Sequence, residues 1–424
     1  MCKADLIIWD EAARVHKHAF EALDRTFKDL MSNPIKIFRG KTIVLGGDFR
    51  QILPTTHEGT RKMTVDASIN RSKLWRYFKI FSLHENMRII SRASSTTTED
   101  KEIFVEWVLD LGNGNPPEIA LTHLKDPTWI KIPDDYLIVP DENCVKQISS
   151  IIYSGMLDRY GDAEYLSERC ILAPNNETVD EINHYIVSTY PGETHHLFRS
   201  DSITSMTGSI QREAVAYSTK FLNSLQFPGF PDHHLQLKIG VPVMLLQTIN
   251  ESMGLCNGTR LVVKQIGKRF IEGQIITGNR VGFHVSIPRM IFSPTGANLP
   301  FVFRRRQFPV KVCFAMTINK IQGKTLQQVG IYLTTPLFTH GQLYMAMSRT
   351  TSKEGSKILI KPIDKQPLGF TQNIVYREVF NNLHPGAIQV VDTPTRMQIS
   401  ETTKSNAVVL EVVETGTRIV THLK

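Results

Sequence analysis

Hydrophobic positions along the chain fall into two strand-and-helix blocks that flank a stretch with a different period. Leu6–Trp9 is a short, continuous apolar run, the pattern of a parallel strand buried on both faces. Phe20, Leu23, Phe27 and Leu30 follow at spacings of three and four, which predicts an amphipathic helix. Further apolar runs at 42–45 and 80–83 read as strands, the first ending in Gly46-Gly47-Asp48. Phe104, Trp107, Val108 and Leu111 mark a helix closed by a Gly/Asn/Pro-rich stretch, 112–117. The second block opens with a strand at 170–173 and a helix after Asn175-Asn176 with Val179, Ile182 and Ile186 on one face. Four short strand-like segments then follow, at 241–247, 260–266, 271–277 and 281–287, with Gly and Asn turns between them. That spacing predicts a small antiparallel barrel. Alternation resumes from Val312 with a strand at 329–333, a helix at 338–349 and a strand at 357–360, and from about Pro385 the polar, Thr-rich chain predicts a loosely ordered tail. The fold class expected from this alternation is α/β.

Composition narrows the classes. At 424 residues, with 41% hydrophobic and 21% charged residues, the chain is long enough for two or three domains. No run of eighteen apolar residues exists, so no membrane partner is expected. The opening MCKADLIIWDEA lacks the pattern of a secretory or transit signal. Five scattered cysteines without a CxxC pair argue for reduced thiols and against a zinc module. The net charge of +8 favours polyanions, because neutralised phosphates release counterions. The basic clusters Arg304-Arg305-Arg306 and 353–365, taken alone, read as solvated faces.

Several segments carry chemistry. The strand ending in Asp10-Glu11 delivers two carboxylates to the edge of a sheet where phosphates bind. There an Asp can hold Mg²⁺ and the adjacent Glu can orient or deprotonate water; alone, the pair reads better as acidic caps of the next helix. In Thr42-Ile43-Val44-Leu45-Gly46-Gly47-Asp48-Phe49-Arg50-Gln51, another strand runs into a Gly-rich edge, where Gln51 is a candidate to contact a γ-phosphate or the attacking water; alone, the segment reads better as a Gly-rich turn with surface polar residues. Arg88, in Asn86-Met87-Arg88 after the 80–83 strand, and Arg349, ending Gly341-Gln342-Leu343-Tyr344-Met345-Ala346-Met347-Ser348-Arg349, are candidates to stabilise charge on a transferring phosphoryl group. Thr317, Lys320 and Gln322 precede a Gly turn in a pattern suited to contacting a nucleic-acid backbone.

Taken together and in order, LIIWDEA, KTIVLGGDFRQILP, NMRI, FVEWVLDLGNG, ILAPNNETVDEIN, LQLKIGVPVMLL with GLCNGTRL, FAMTINKIQGKT and HGQLYMAMSR resemble the Pif-type, RecD-like 5′-to-3′ DNA helicases of superfamily 1, closest to the Helitron-associated-like eukaryotic branch. The resemblance covers about residues 4–380. It implies two RecA-like parallel-sheet domains, the first incomplete, with ATP in the cleft and single-stranded DNA across their tops, and a small barrel inserted in the second. The corresponding division is 1–115, 116–235, 236–310 for the barrel, 311–384, and the tail 385–424. The resemblance assigns Asp10 to Mg²⁺, Glu11 to water activation, Gln51 to sensing the γ-phosphate, Arg88 and Arg349 to transition-state charge, and Gly323 to the nucleotide. It makes Thr317, Lys320, Asn175 and Asn176 candidate DNA contacts. Single-stranded DNA and duplex junctions are the implied partners, and replication, repair, recombination and telomere maintenance the implied setting. A monomer in the nucleus is expected, with the mitochondrion as the alternative.

One departure from the family pattern stands out. Gly-x-x-x-x-Gly-Lys-Ser/Thr is absent from the 424 residues: the two Gly-Lys-Thr tripeptides, at Gly40 and Gly323, have Ile35 and Ile318 where the first glycine belongs. In the family this loop lies upstream of the Asp-Glu strand, so an N-terminally truncated helicase with weak or no ATPase activity on its own is expected. The competing reading is a non-catalytic nucleic-acid-binding remnant of such an enzyme.

Overall fold

The computed structural model describes residues 4–31, 36–56, 59–83, 98–116, 128–204, 217–225, 227, 229–294, 299–363, 366–381, 383 and 407–412. The chain begins with β1 (Leu6–Trp9), α1 (Lys17–Met31), β2 (Thr42–Gly47), α2 (Arg61–Ala67), β3 (Phe78–Leu83) and α3 (Thr98–Asn113). A second body follows with β4 (Trp129–Lys131), β5 (Leu137–Ile138), α4 (Cys144–Ile152), α5 (Ala163–Ser167), β6 (Arg169–Ala173) and α6 (Asn176–Thr189). Then come β7 (His195–Phe198), β8 (Ser200–Thr204), α7 (Thr219–Ser224), β9 (His234–Leu237), β10 (Pro242–Leu245), β11 (Arg260–Ile266), β12 (Phe270–Ile275) and β13 (His284–Pro288). The rest comprises β14 (Met290–Phe292), β15 (Val302–Gln307), β16 (Val310–Val312), β17 (Ala315–Thr317), β18 (Gln328–Leu333), α8 (Gln342–Met347), β19 (Ser356–Ile360), β20 (Phe370–Gln372) and β21 (Ala407–Val412).

Two parallel sheets organise the molecule. The second has the order β17-β6-β18-β19-β5, all parallel. Its apolar runs are continuous because both faces are covered: Cys170 and Leu172 pack in one core with α3 and α8, while Ile171 and Ala173 pack in another with α4 and α6. The first sheet has the order β1-β2-β21-β3, also parallel throughout. Its core holds Phe20, Phe27, Ile43, Leu45 and Phe78, joined by Val379 and Leu383 from the far end of the sequence.

Three features differ from the sequence expectation. The last apolar run, Ala-Val-Val-Leu-Glu-Val at β21, is a strand inside the first sheet, not part of a loosely ordered tail; its β-branched character outweighs the Thr-rich surroundings. Helix α3 buries Phe104, Val108 and Leu111 against α8 in the second body. The expected 338–349 helix starts only at Gln342, because Gly341 adopts a left-handed conformation. The segments expected between 241 and 287 do form antiparallel strands, in a five-stranded sheet β13-β12-β11-β10-β16. The arginine triplet divides by strand alternation: Arg304 and Arg306 point outward, while Arg305 is 1% exposed and bonds Asp201 at 3.1 Å.

Candidate functional site

The carboxyl end of β1 places Asp10 and Glu11 at the rim of the first sheet. Asp10 Oδ1 accepts the Glu11 amide at 2.9 Å, and the backbone of Glu11 turns left-handed (φ 56°, ψ 36°), a rare state for a residue with a Cβ. That turn aims Glu11 across the gap to the second body. Gln322 Nε2 donates to Glu11 Oε2 at 2.5 Å, and Arg14 Nη1 donates to Gln322 Oε1 at 3.0 Å. Gly323 follows at φ 71°, where a Cβ would come 3.9 Å from Glu11 Oε1. Glu11 and Gly323, both expected to face a nucleotide, therefore meet where the two bodies touch, with Asp10 adjacent to Glu11. Gln322 joins them by contacting the carboxylate.

The loop after β2 forms a second bridge. Asp48 is 1% exposed, and its Oδ2 accepts the Tyr344 hydroxyl of α8 at 2.6 Å, while Oδ1 accepts the Arg50 amide at 2.9 Å. His340 is 1% exposed; its Nδ1 accepts the Tyr376 amide at 2.8 Å, so Nε2 carries the proton and donates to Phe49 O at 2.7 Å. Burial, the largest influence, lowers the His340 pKa to about 4. Gly341 approaches so closely that a Cβ would lie 2.1 Å from Arg50 O, which no side chain can satisfy. Gln51 sits in this seam, 2% exposed, its Oε1 without a hydrogen-bond partner among the described residues. A buried amide oxygen with no protein partner is a place where a ligand or water is expected.

Arg349 is fully buried at the end of α8. Nε donates to Met345 O at 2.8 Å, Nη2 to Ser348 Oγ at 2.8 Å and Nη1 to Lys324 O at 3.4 Å, so it stands behind the Gln322–Gly323 turn. Lys324 Nζ donates to Gly258 O at 2.8 Å, tying that turn to the antiparallel sheet, and burial lowers its pKa to about 8. Arg88 lies outside the described residues.

The expected DNA contacts sit along the carboxyl edge of the second sheet. Thr317 ends β17, and Lys320 is exposed, its pKa lowered first by desolvation and then by Lys311. Asn175 is the N-cap of α6, its side chain accepting the Thr178 amide at 2.8 Å, and Asn176 beside it is exposed. Sequence reasoning missed Asp48, His340 and Tyr344. A lone acid between Gly47 and Phe49, and an aromatic on a helix otherwise made for packing, were the available signals. Among the described residues no cluster of three or more His, Cys, Asp or Glu could hold a metal ion, and no helix is long and apolar enough to cross a membrane.

The model of the PIF1-like helicase family matches residues 1–120, and that of the DNA helicase Pif1 2B domain matches residues 220–266. Human ATP-dependent DNA helicase PIF1 is 32% identical over 161 residues, 37% of this chain and 24% of that protein. PIF6, an ATP-dependent DNA helicase of Trypanosoma brucei brucei, is 23% identical over 358 residues, 82% of this chain and 40% of that protein. The chain thus spans well under half the length of these curated relatives. Among solved structures, Bacteroides Pif1 bound to ssDNA aligns with a TM-score of 0.56 at 20% identity, covering 85% of this chain and 72% of that one. The Candida albicans Pif1 helicase aligns with a TM-score of 0.55 at 19% identity, covering 88% and 75%. These likenesses bear out the two RecA-like parallel sheets, and the matched family models show that residues 1–120 are similar to the PIF1-like helicases and residues 220–266 to the 2B domain of DNA helicase Pif1.

Proposed function

We propose that this chain forms the hydrolytic and strand-binding part of an ATP-dependent DNA helicase that translocates 5′ to 3′. One observation carries the reading: Glu11 at the rim of the first sheet meets Gln322–Gly323 of the second body. Ligands of open α/β sheets bind at that edge. The buried, unpartnered Gln51 oxygen in the neighbouring seam gives a second polar group available to a phosphate-side water. In this reading Glu11 orients and deprotonates the attacking water, while Gln51 reports the γ-phosphate to the His340–Tyr344 side of the seam. Arg88 and Arg349 contribute positive charge, Arg349 from behind the turn that holds Gly323.

The residues fit Mg²⁺ as a nucleotide-borne ion: Asp10 is an exposed carboxylate at the sheet edge, and Mg²⁺ ordinarily takes one or two carboxylates and completes its shell with phosphates and water. Bound there, the ion would neutralise charge on the phosphates. Thr317, Lys320 and Asn176 form the surface for single-stranded DNA and for the strand at a duplex junction. Repair, recombination and telomere maintenance belong to the same reading.

A second reading is nucleic-acid binding without turnover, for which the exposed Lys320 and Asn176 at the carboxyl edge of the second sheet suffice. The two separate cleanly by experiment. DNA-stimulated ATP hydrolysis is expected to fall at least a hundredfold, on the order seen for loss of a catalytic base, in Glu11→Gln. Strand binding without any Glu11-dependent turnover supports the second reading; no binding of single-stranded DNA overturns both.

A further inference from the structure

The hairpin of β7 and β9 presents an aromatic face that the proposed hydrolytic site does not use. The two strands pair antiparallel, with Phe198 opposite His234 and His196 opposite Gln236. Alternation sends Leu197, Leu235 and Leu237 into the core and leaves His196, Phe198, His234 and Gln236 on the outer face. There the Phe198 and His234 rings stack at 4.7 Å and 8°, and the His234 and His196 rings at 4.9 Å and 20°. His196 Nδ1 and His234 Nε2 share a 2.7 Å hydrogen bond, which fixes both rings. Phe198 nevertheless remains 57% exposed. An aromatic pair that serves only to staple a hairpin gains from burial, and this one forgoes more than half of it.

The surroundings suit a polyanion with flat, apolar substituents. Arg289 Nη1 donates to Phe198 O at 2.8 Å, and Arg306 lies close enough to depress the Arg289 pKa after desolvation. Arg304 and Arg306 both point outward on β15, the latter level with Ser200, two residues beyond Phe198. On the other side, His234 and Gln236 line a 360 Å³ cavity shared with Asp180, His184, Asp232 and Lys311. Asp180, Asp232 and Lys311 are also the charges that act on Lys320. His234 and Gln236 thus line the same cavity as Lys311, a cation near enough to act on Lys320, the lysine expected to touch the DNA backbone.

We propose that Phe198, held by His234 and His196, is a stacking platform for a base of single-stranded DNA, with Arg289, Arg304 and Arg306 facing the phosphates on either side. Aromatic stacking on successive bases combined with a cationic track is how single strands are held without sequence preference. The platform extends the strand path beyond the Thr317–Lys320 edge onto the hairpin, and it rests on the reading that this edge binds DNA.

Binding of the full chain to fluorescein-labelled oligo(dT) and to an abasic strand of equal length tests both claims separately. Phe198→Ala is expected to weaken oligo(dT) binding roughly 5- to 100-fold, the effect of losing one stacked base, while leaving the abasic strand nearly unchanged. Phe198→Trp is expected to restore oligo(dT) affinity, and Arg306→Ala to weaken both strands alike. Equal oligo(dT) affinity for wild type and Phe198→Ala overturns the platform and leaves the helicase reading standing. So does an equal loss on both strands, or failure of the Trp variant to recover affinity. If the wild-type chain binds neither strand, the strand-binding edge falls and the platform with it.

Discussion

The two parallel sheets share a plan but draw on the chain differently. The second takes all five strands from residues 137–360, and its strands are covered on both faces by helices close in sequence. The first takes three strands from residues 6–83 and the fourth, β21, from residues 407–412, about 320 positions later. Among the described residues β3 pairs with β21 alone, so the late strand is what joins β3 to the sheet. Residues 376–383 make the same return: Arg61 pairs with Glu378 at 2.7 Å, and Asn70 Nδ2 donates to Val379 O at 2.6 Å. In exchange, α3 leaves the first sheet and packs into the second body. The first lobe is thus a composite whose stability depends on segments that lie beyond the second in sequence, whereas the second takes all its sheet strands from one stretch of the chain and borrows α3 and Ile52 for one of its cores.

The largest effect expected from breaking this asymmetry comes from deleting residues 400–424. Each ladder hydrogen bond contributes about 1 kcal/mol net, and a central strand carries several on each side, so the loss is on the order of 5 kcal/mol. Hydrogen exchange should show lost protection in β2 and β3, with β6, β18 and β19 unchanged; uniform loss across both sheets would mean the lobes do not differ as described.

Next is the seam. Gly341→Ala combines a left-handed backbone, about 1–2 kcal/mol, with overpacking against Arg50 O, about 1–3 kcal/mol, so chemical denaturation should show a loss on the order of 4 kcal/mol. An unchanged midpoint would show that the lobes do not meet at Arg50.

His340 gives a smaller and reversible version of the same test. Its folded pKa of about 4 lies below the ordinary value of 6.5, so protons bind the unfolded chain preferentially between these values. Its share of stability is complete above pH 6.5 and is lost as pH falls towards 4, by about 3 kcal/mol at 1.36 kcal/mol per pH unit. Physically, protonating Nδ1 sets it against the Tyr376 N–H that it now accepts. His340→Gln should flatten this part of the stability profile; an identical profile in the variant would place the acid sensitivity elsewhere.

Much of the second lobe was legible because its strands are buried on both faces and so read as continuous apolar runs. The run at 170–173 became Arg169–Ala173, that at 329–333 became Gln328–Leu333, and that at 357–360 became Ser356–Ile360. Asp10 and Glu11 were legible from the apolar run before them, although β1 is an edge strand among the described residues and none of its four residues is buried, contrary to the expected burial on both faces. What stayed hidden depends on contacts between distant segments. Nothing local in Ala407–Val412 says which sheet it joins, and Asp48 reads as a turn residue until Tyr344 is brought to 2.6 Å from it. Leu30 fits the helical spacing of Phe20 and Phe27 yet is 61% exposed, because periodicity names a face but not how far the partner surface extends.

Two walls and one shared nucleotide are what the whole reading needs, and amide exchange can ask for both at once. With millimolar Mg²⁺ and a slowly hydrolysed ATP analogue, peptides spanning residues 4–14 and 318–326 should gain protection together, and Glu11→Gln should leave that paired response in place while removing turnover. Protection confined to one of the two peptides, or absent from both, would contradict a crevice formed by Glu11 and the Gln322–Gly323 turn.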